Sequence, residues 1–320
     1  MNDEVNKSFP TVLVVVPCYN EELYIKQCLV SLGEQDYPRE NYKVLVVDNG
    51  SSDSSVDIAK QLADHVVIKK GGKVGGVRNF GVRQFSSDIV AFIDADCIAN
   101  KQWLKTACKI LASKEVGAVG GNYLLRDNPS WIERGWVLEN FPKSGDANSL
   151  VGGSFILRRD LFDEIGGFDA QINAGEDTKL SQMIKNLGLK VLFVEDCAVV
   201  HLGYPSTLFG FMKRQFWHSS SYKNSQLGLL KDKTFLAVLV FLLSLIVFVL
   251  GMLVNSTTLV SLALIGTFLP PFLFSSKRAF PVFHETKVIT LLSAYTLDFA
   301  YFVARAIGLL TSFFFDPFKK

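Results

Sequence analysis

The chain has 320 residues, enough for one large domain or two smaller ones. Its 33 Lys and Arg against 31 Asp and Glu leave a net charge of +2, which excludes the basic footprint of a nucleic-acid binder, so no nucleic-acid partner is expected. Mean hydropathy is +0.25, high for a soluble protein, and the excess begins near Lys233. All five cysteines (Cys18, Cys28, Cys97, Cys108 and Cys197) lie before that point and show no C-x-x-C spacing. Buried free thiols in a reducing compartment are expected rather than a disulfide framework. Met1 to Ser8 is polar and carries acids, so no signal peptide is expected there.

Residues 12–16 form a β-branched run that reads as a strand, followed by Pro17, Cys18, Tyr19 and Asn20. Asn20 is placed as the N-cap of a helix to about Leu32, with Glu21 and Glu22 suited to its first turn. A strand over 42–47 leads into the turn Asp48-Asn49-Gly50-Ser51-Ser52-Asp53 and a helix near 54–63. A third strand, 65–68, precedes the glycine-rich 71–76, which contains Lys73 and opens a helix through Val82. The apolar run 89–93 is a fourth, buried strand, and it ends at Asp94-Ala95-Asp96. Strands alternating with helices argue a parallel, doubly wound sheet whose loops at the strand carboxyl ends converge on one crevice.

Residues 127–150 hold Trp131, Trp136 and Phe141 with little helix or strand pattern, and read as an open loop that stacks aromatic rings on an acceptor or simply anchors a surface segment. Gly152-Gly153-Ser154 is placed on a strand before Arg158 and Arg159. Gly175-Glu176-Asp177-Thr178 suits a helix start, and His201 ends a strand over 197–200. Residues 207–222, to Tyr222, interleave Phe209, Phe211, Met212, Phe216 and Trp217 with Lys213, Arg214 and His218. That pattern fits an amphipathic helix lying on a membrane surface, with a core-facing helix as the plain alternative. Residues 235–254 are uncharged and long enough to cross a membrane; 259–274 form a second apolar stretch, interrupted late by Pro270-Pro271. Lys231 and Lys233 precede this hairpin, and Lys277, Arg278 and Lys287 follow it, so both flanks and the N-terminal domain are expected in the cytoplasm. Residues 288–315, to Phe315, could form a third span but carry Asp298 and Arg305, seven apart on one helix face. These read as an ion pair or a polar path, or the segment lies at the interface. If it spans, Lys319 and Lys320 fall on the outer side, against the charge rule.

The chemistry concentrates in three loops. Asp94 and Asp96 can turn toward one hard cation, Mn²⁺ or Mg²⁺, and leave it positions for phosphate oxygens. Tyr19 can stack on a base, and Asp48 or Asn49 can hydrogen-bond its edge or the ribose. The glycine-rich loop offers close backbone approach and a helix N-terminus, and Lys73 and Arg78 bring cations toward a diphosphate. Together these imply a nucleotide-diphosphate site from which the nucleotide departs, the metal stabilising charge on the leaving group.

Six motifs in order, 12–22 (VLVVVPCYNEE), 46–53 (VVDNGSSD), 75–81 (GGVRNFG), 94–96 (DAD), 166–169 (GGFD) and 175–178 (GEDT), resemble the family 2 glycosyltransferases, inverting enzymes of the Rossmann-like, mostly parallel α/β GT-A fold. The resemblance covers residues 11–201 and extends, in the C-terminal helices, to membrane-bound bacterial members that build polysaccharides and lipid-linked glycans. It implies a GT-A domain over 1–204, an interfacial helix and linker over 205–232, and two or three transmembrane helices over 233–320 in a multi-pass cell-membrane protein. It further implies that Pro17, Tyr19 and Glu21 line the nucleoside pocket and Asp48 contacts the nucleoside. Asp94 would face ribose or diphosphate, Asp96 would be the direct metal ligand, and His201 would be a further ligand. Gly153 would face the donor sugar. Asp177, beside Glu176, would be the general base.

Asn49 stands where many relatives have a second Asp, which leaves the base open. The chain lacks the Gln-x-x-Arg-Trp signature of processive synthases, so one sugar per encounter is expected. The expected reaction moves a sugar from a nucleotide-diphosphate sugar to a polyprenyl-linked oligosaccharide, with Trp131, Trp136, Arg214 and Trp217 on the acceptor and membrane-lipid side. A polyprenyl-phosphate monosaccharide synthase and a non-catalytic nucleotide-sugar-binding subunit remain the alternatives.

Overall fold

The computed structural model describes residues 9–138, 144–172, 174–219, 232–284 and 286–314. Residues 1–8, Phe141, Tyr222, Lys231, Phe315, Lys319 and Lys320, which enter the reading of the sequence, lie outside them. The chain divides into two compact units, residues 1–126 with 141–203 and residues 127–140 with 204–320.

The first unit opens with the expected alternation. Strand β1 (Val12–Cys18) is followed by α1 (Ile25–Gly33), β2 (Tyr42–Asp48), α2 (Ser55–Leu62), β3 (His65–Ile68), α3 (Val74–Val82) and β4 (Ile89–Phe92). Then come β5 (Cys97–Ala99), α4 (Trp103–Leu111), β6 (Val116–Gly120) and β7 (Tyr123–Leu124). Helix α5 (Trp131–Val137) belongs to the second unit. The first unit resumes with β8 (Gly145–Asp146), β9 (Phe155–Arg158), α6 (Arg159–Glu164), α7 (Glu176–Asn186), β10 (Lys190–Phe193) and β11 (Val199–His201).

Eight strands form one sheet in the order β3-β2-β1-β4-β9-β6-β10-β8, and β5-β11-β7 form a smaller one. The β3-β2-β1-β4 half is parallel throughout, β9 runs antiparallel between β4 and β6, and β10 is parallel to β6. Alternation along β1 builds a core on each face. Val12, Val14 and Val16 pack with Ile25, Leu29 and Trp103, whereas Leu13 and Val15 pack with Val77, Phe92 and Phe168. A strand buried on both faces needs a continuous β-branched run, as 12–16 supplies.

Several local expectations are corrected. Helix α1 begins at Ile25, with Tyr24 as its N-cap, because Asn20 sits at φ 57°, in the left-handed region that Asn tolerates and a helix excludes. Gly152-Gly153-Ser154 is a turn before β9, not part of the strand. Residues Glu195–Cys197 form a 3₁₀ turn, so the strand bearing His201 starts at Val199. The expected open loop over 127–150 contains α5, nucleated by a capping box in which Ser130 Oγ accepts from the Glu133 amide while the Glu133 carboxylate accepts from the Ser130 amide.

The second unit adds α8 (Leu208–Ser219), α9 (Lys233–Leu253), α10 (Thr257–Ala279) and α11 (Val288–Phe314). The last three are long and apolar enough to cross a membrane. Helices α9 and α10 pack against each other through a turn at Asn255, and α10 runs on through Pro270 and Pro271 instead of ending there. Prolines are tolerated in such helices where neighbours re-satisfy the freed backbone groups. Helix α8 buries Phe211, Gln215 and Ser219, spaced four apart, and packs on α11; Phe209 and Trp217 stay exposed.

Asp298 pairs with Arg278 of α10 rather than with Arg305. Seven residues separate Asp298 from Arg305 by about 10.5 Å along the axis, whereas Arg278 reaches across from the neighbouring helix. Arg278 also donates to the Gly135 and Trp136 carbonyls and lies 4.5 Å over the Trp136 ring. It is therefore turned inward and is not a free flanking charge.

Candidate active site

The loops after β1 and β2 are stitched together by backbone donors. The Asn20 amide donates to Ser51 Oγ at 2.9 Å, and Asn20 Oδ1 accepts from the Ser52 amide at 2.8 Å. The Glu21 amide donates to Ser55 Oγ at 2.7 Å, and Glu22 and Asp53 exchange contacts with the facing turn. Asp48 is buried, and its carboxylate accepts from the Gly50 and Ser51 amides at 2.8 and 3.1 Å, so it shapes the turn from beneath. Asn49 donates to the Gly72 carbonyl at 3.3 Å, while its Oδ1 is buried with no hydrogen-bond partner among the described residues. Tyr19 is exposed, and Pro17 and Glu21 are half-buried beside it. Lys73 is the N-cap residue of α3, and its ammonium donates to the Gln171 carbonyl.

Arg78 is placed differently from a cation beside a diphosphate. Only 2% exposed, it donates to Asp94 at 2.7 Å from one guanidinium nitrogen and to Glu176 at 2.6 Å from the other. Burial pulls its pKa down, and the two carboxylates more than reverse this, holding it above its ordinary value. Glu176 is thereby committed to an ion pair within the fold. The other oxygen of Asp94 accepts from Tyr123 Oη at 2.9 Å, and Tyr123 Oη accepts from the Gly153 amide at 3.1 Å. Burial, then the Asp94 charge, pushes the Tyr123 phenol well up, so it stays a donor. A Cβ at Gly153 would lie 2.6 Å from the Tyr123 ring, which is why glycine stands there. The Gly152 amide donates to Asp177 Oδ2 at 2.9 Å. One chain of hydrogen bonds and turn backbone thus runs from Asp94 through Tyr123, Gly153 and Gly152 to Asp177. Asp177 sits half-buried in the first turn of α7, behind Gly175 at φ 88°.

Asp96 and His201 meet where β5 pairs with β11: Nε2 of His201 lies 3.3 Å from Asp96 Oδ2. The ligand atoms of Asp96, Cys97 and His201 all fall within 4.8 Å of one another. Burial, then the Asp94 and Asp96 charges, pushes the Cys97 thiol well above its ordinary value, leaving a carboxylate and an imidazole as the effective donors. Asp94 is outside this cluster because Arg78 and Tyr123 engage it. Sequence reasoning missed Tyr123, which carries no motif, and Gly203, where a Cβ would lie 1.9 Å from Asp96 Oδ2. Ser154, read from the sequence only within Gly152-Gly153-Ser154, joins its hydroxyl to Trp103, Gly121 and Cys197 in the core beneath the site. Trp131, Trp136, Arg214 and Trp217 all belong to the second unit. Trp131 and Trp217 are exposed, and Trp136 packs on Phe211 and Tyr301.

A mostly parallel sheet thus carries paired acids past the carboxyl edge of β4 and a carboxylate at the opening of α7. The model of glycosyl transferase family 2 matches residues 13–166. Glycosyltransferase AglE of Haloferax volcanii is 30% identical over 227 residues, which span 66% of this chain and 73% of that protein. The probable glycosyltransferase YdaM of Bacillus subtilis is 26% identical over 58% of this chain and 49% of its own length. Among solved structures, the mannosyltransferase PcManGT from Pyrobaculum calidifontis, in complex with GDP-Man and Mn²⁺, superposes with a TM-score of 0.61 at 20% identity, covering 96% of this chain and 88% of that one. The chain belongs to glycosyltransferase family 2 and is a glycosyltransferase that uses nucleotide-sugar donors.

Proposed function

We propose that the chain transfers one sugar per encounter from a nucleotide-diphosphate sugar to a polyprenyl-linked oligosaccharide in the cell membrane. A catalytic domain over 1–204 faces the cytoplasm, residues 205–232 form an interfacial segment, and 233–320 form the membrane helices. The observation that carries the reading is the hydrogen-bonded run from Asp94 to Asp177 beside the Asp96–His201 pair. It supports a carboxylate base at Asp177 and a cation site at Asp96 and His201.

Asp96 and His201 would hold the metal. A carboxylate and an imidazole suit Mn²⁺ better than Mg²⁺, which favours oxygen ligands. The Mn²⁺ bound with GDP-Man in PcManGT supports that assignment. When bound, the ion neutralises charge developing on the departing diphosphate. Tyr19, Pro17 and Glu21 bound the nucleoside side, and the buried Asn49 Oδ1 offers an acceptor to a base or ribose donor. Asp48 acts through the turn that it shapes. Gly153 leaves room for the donor sugar, and Lys73 opens the helix facing the diphosphate. Asp177 takes the proton of the acceptor hydroxyl as its oxygen bonds to the anomeric carbon. The bond from that carbon to the diphosphate breaks, with inversion. Arg78 and Glu176 position Asp94 and the start of α7.

The test is sugar transfer in membranes carrying the protein, with labelled UDP-, GDP- and dTDP-sugars and Mn²⁺. Lipid-linked oligosaccharide or bare polyprenyl phosphate serves as acceptor. Wild type is expected to label the organic extract, and Asp177→Asn to keep donor affinity while losing about 10²–10⁴ in turnover. Turnover unchanged in Asp177→Asn removes the base. Asp96→Ala is expected to abolish the Mn²⁺ enhancement of donor binding, and equal enhancement in both proteins removes the metal assignment.

A further inference from the structure

The small sheet brings Tyr123 to two parts of the site at once. Strand β11 runs between β5 and β7, with His201 paired to Cys97 on one side and Val199 paired to Tyr123 on the other. Side chains two apart on a strand share a face, so Tyr123, in register with Val199, lies diagonally from His201. The two rings meet edge-to-face, with centroids 4.6 Å apart and planes at 62°. At the far end of the same side chain, Oη donates to Asp94 at 2.9 Å and accepts from the Gly153 amide at 3.1 Å.

Each end meets a group whose direction matters. The last torsion of an imidazole is broad and two-fold, so neighbouring contacts decide where its nitrogens point. Outer contacts that orient a ligating imidazole tune metal affinity, and His201 Nε2 faces Asp96 at 3.3 Å. A hydrogen bond to a carboxylate is stronger than a neutral one, so Oη fixes one oxygen of Asp94 while Arg78 holds the other. The Gly153 amide on that hydroxyl ties the turn to the same point, and the next amide, Gly152, holds Asp177 Oδ2 at 2.9 Å. A Cβ at Gly153 would fall 2.6 Å from both Cε1 and Oη of Tyr123, so the turn lies directly along the ring edge.

We propose that Tyr123 is a positioning residue that ties the metal site to the general base. Its ring sets the His201 imidazole toward the ion, and its hydroxyl sets the Gly152-Gly153 turn that aims Asp177. The inference rests on the roles proposed above for Asp96, His201 and Asp177, and adds the side chain that joins them.

The experiment compares wild type, Tyr123→Phe and Tyr123→Leu as full chains. Mn²⁺ binding is followed by electron paramagnetic resonance, beside kcat and donor KM for transfer and the unfolding midpoint. Tyr123→Phe keeps the ring and removes both hydroxyl contacts, so kcat should fall about tenfold or more while Mn²⁺ affinity and donor KM hold. Tyr123→Leu removes the ring as well and should weaken Mn²⁺ binding by about three- to tenfold. A tyrosine that only filled space would lower the midpoint without splitting affinity from turnover. Asp177→Asn supplies the second comparison: Tyr123→Phe/Asp177→Asn should turn over no more slowly than Asp177→Asn alone, because the hydroxyl acts through that carboxylate. Wild-type kcat in Tyr123→Phe, or losses that multiply in the double variant, overturns the role of the hydroxyl. Equal Mn²⁺ affinity in the Phe and Leu variants overturns the role of the ring. The underlying assignments fail separately, in proteins that keep Tyr123. Wild-type turnover in Asp177→Asn removes the base, and wild-type Mn²⁺ affinity in Asp96→Ala removes the metal site, each taking its half of the proposal with it.

Discussion

The catalytic unit and the helical unit both bury an arginine, and they satisfy it in opposite ways. Arg78 is shared between two carboxylates, Asp94 and Glu176, and Asp94 passes the network on through Tyr123 toward the turn that holds Asp177. Arg278 meets one carboxylate, Asp298, and fills its remaining donors with the Gly135 and Trp136 carbonyls under an aromatic cover. The first arrangement is open: its members border the proposed site and fix the groups that face it. The second closes on itself and joins α5, α10 and α11. A buried ion pair is often replaceable by apolar residues of similar size, whereas removing one partner alone strands a charge. The two arginines should therefore behave alike when one partner is removed and differently when all are.

The largest effects come from single substitutions. Arg78→Met and Arg278→Met should each destabilise the protein by about 3–5 kcal/mol, because each strands a buried carboxylate. Denaturant unfolding in detergent measures both. Adding Asp298→Leu to Arg278→Met should recover most of the stability and leave transfer near wild type. Adding Asp94→Leu and Glu176→Met to Arg78→Met, which removes both carboxylates of that network, should leave transfer lost whatever the stability. Transfer restored by this triple variant, or stability not restored by the Arg278→Met/Asp298→Leu double variant, breaks the contrast between an open and a closed network.

A smaller effect sharpens it. Each unit has a glycine whose added Cβ would lie 1.9 Å from a polar oxygen: Gly203 against Asp96 Oδ2, and Gly308 against Ser219 Oγ. Both Ala variants should lose about 1–3 kcal/mol through overpacking. Only Gly203→Ala should also weaken the Mn²⁺ response of donor binding, because the atom displaced is a proposed ligand. A metal response unchanged in Gly203→Ala detaches Gly203 from the site.

Much of this was legible in the sequence, for reasons that differ by unit. The strands of the β3-β2-β1-β4 half were readable because a buried parallel strand requires a β-branched run, as at residues 12–16. The loops at their carboxyl ends announced themselves by acids and glycines in a fixed order. Helix α5 was also there to be read, as Ser130 and Glu133 at capping-box spacing. What the sequence does not carry is who meets whom across the fold. Arg78 follows a glycine-rich loop and looks like a phosphate cation, yet Glu176, 98 residues away, claims it. Tyr123 and Gly203 belong to no motif and matter through contacts made across the fold, Tyr123 with Asp94 and Gly153 and Gly203 with Asp96. Asp298 and Arg305 share a helix face, and the partner came from another helix because axial rise outran side-chain reach.

The smallest expected effect concerns acid. Asp88 lies at the exposed end of the catalytic unit's sheet and accepts from Thr11 Oγ1 at 2.7 Å and from the Thr11 amide at 2.8 Å. Those two hydrogen bonds, the hydroxyl's first, hold its carboxyl below the usual carboxylate range. A carboxyl depressed on folding adds stability above its unfolded pKa of about 3.9 and loses it as pH falls through the folded value. Asp88→Asn should therefore cost a little stability near neutrality, and the cost should shrink as pH falls below about 4. Unfolding midpoints of the two proteins across that window measure it. A gap that widens on acidification would reverse the sign and show that the Thr11 contacts favour the protonated carboxyl. The same titration on Arg278→Met/Asp298→Leu extends the comparison: the Asp88 contribution should be unchanged there, since it arises within the catalytic unit's own sheet.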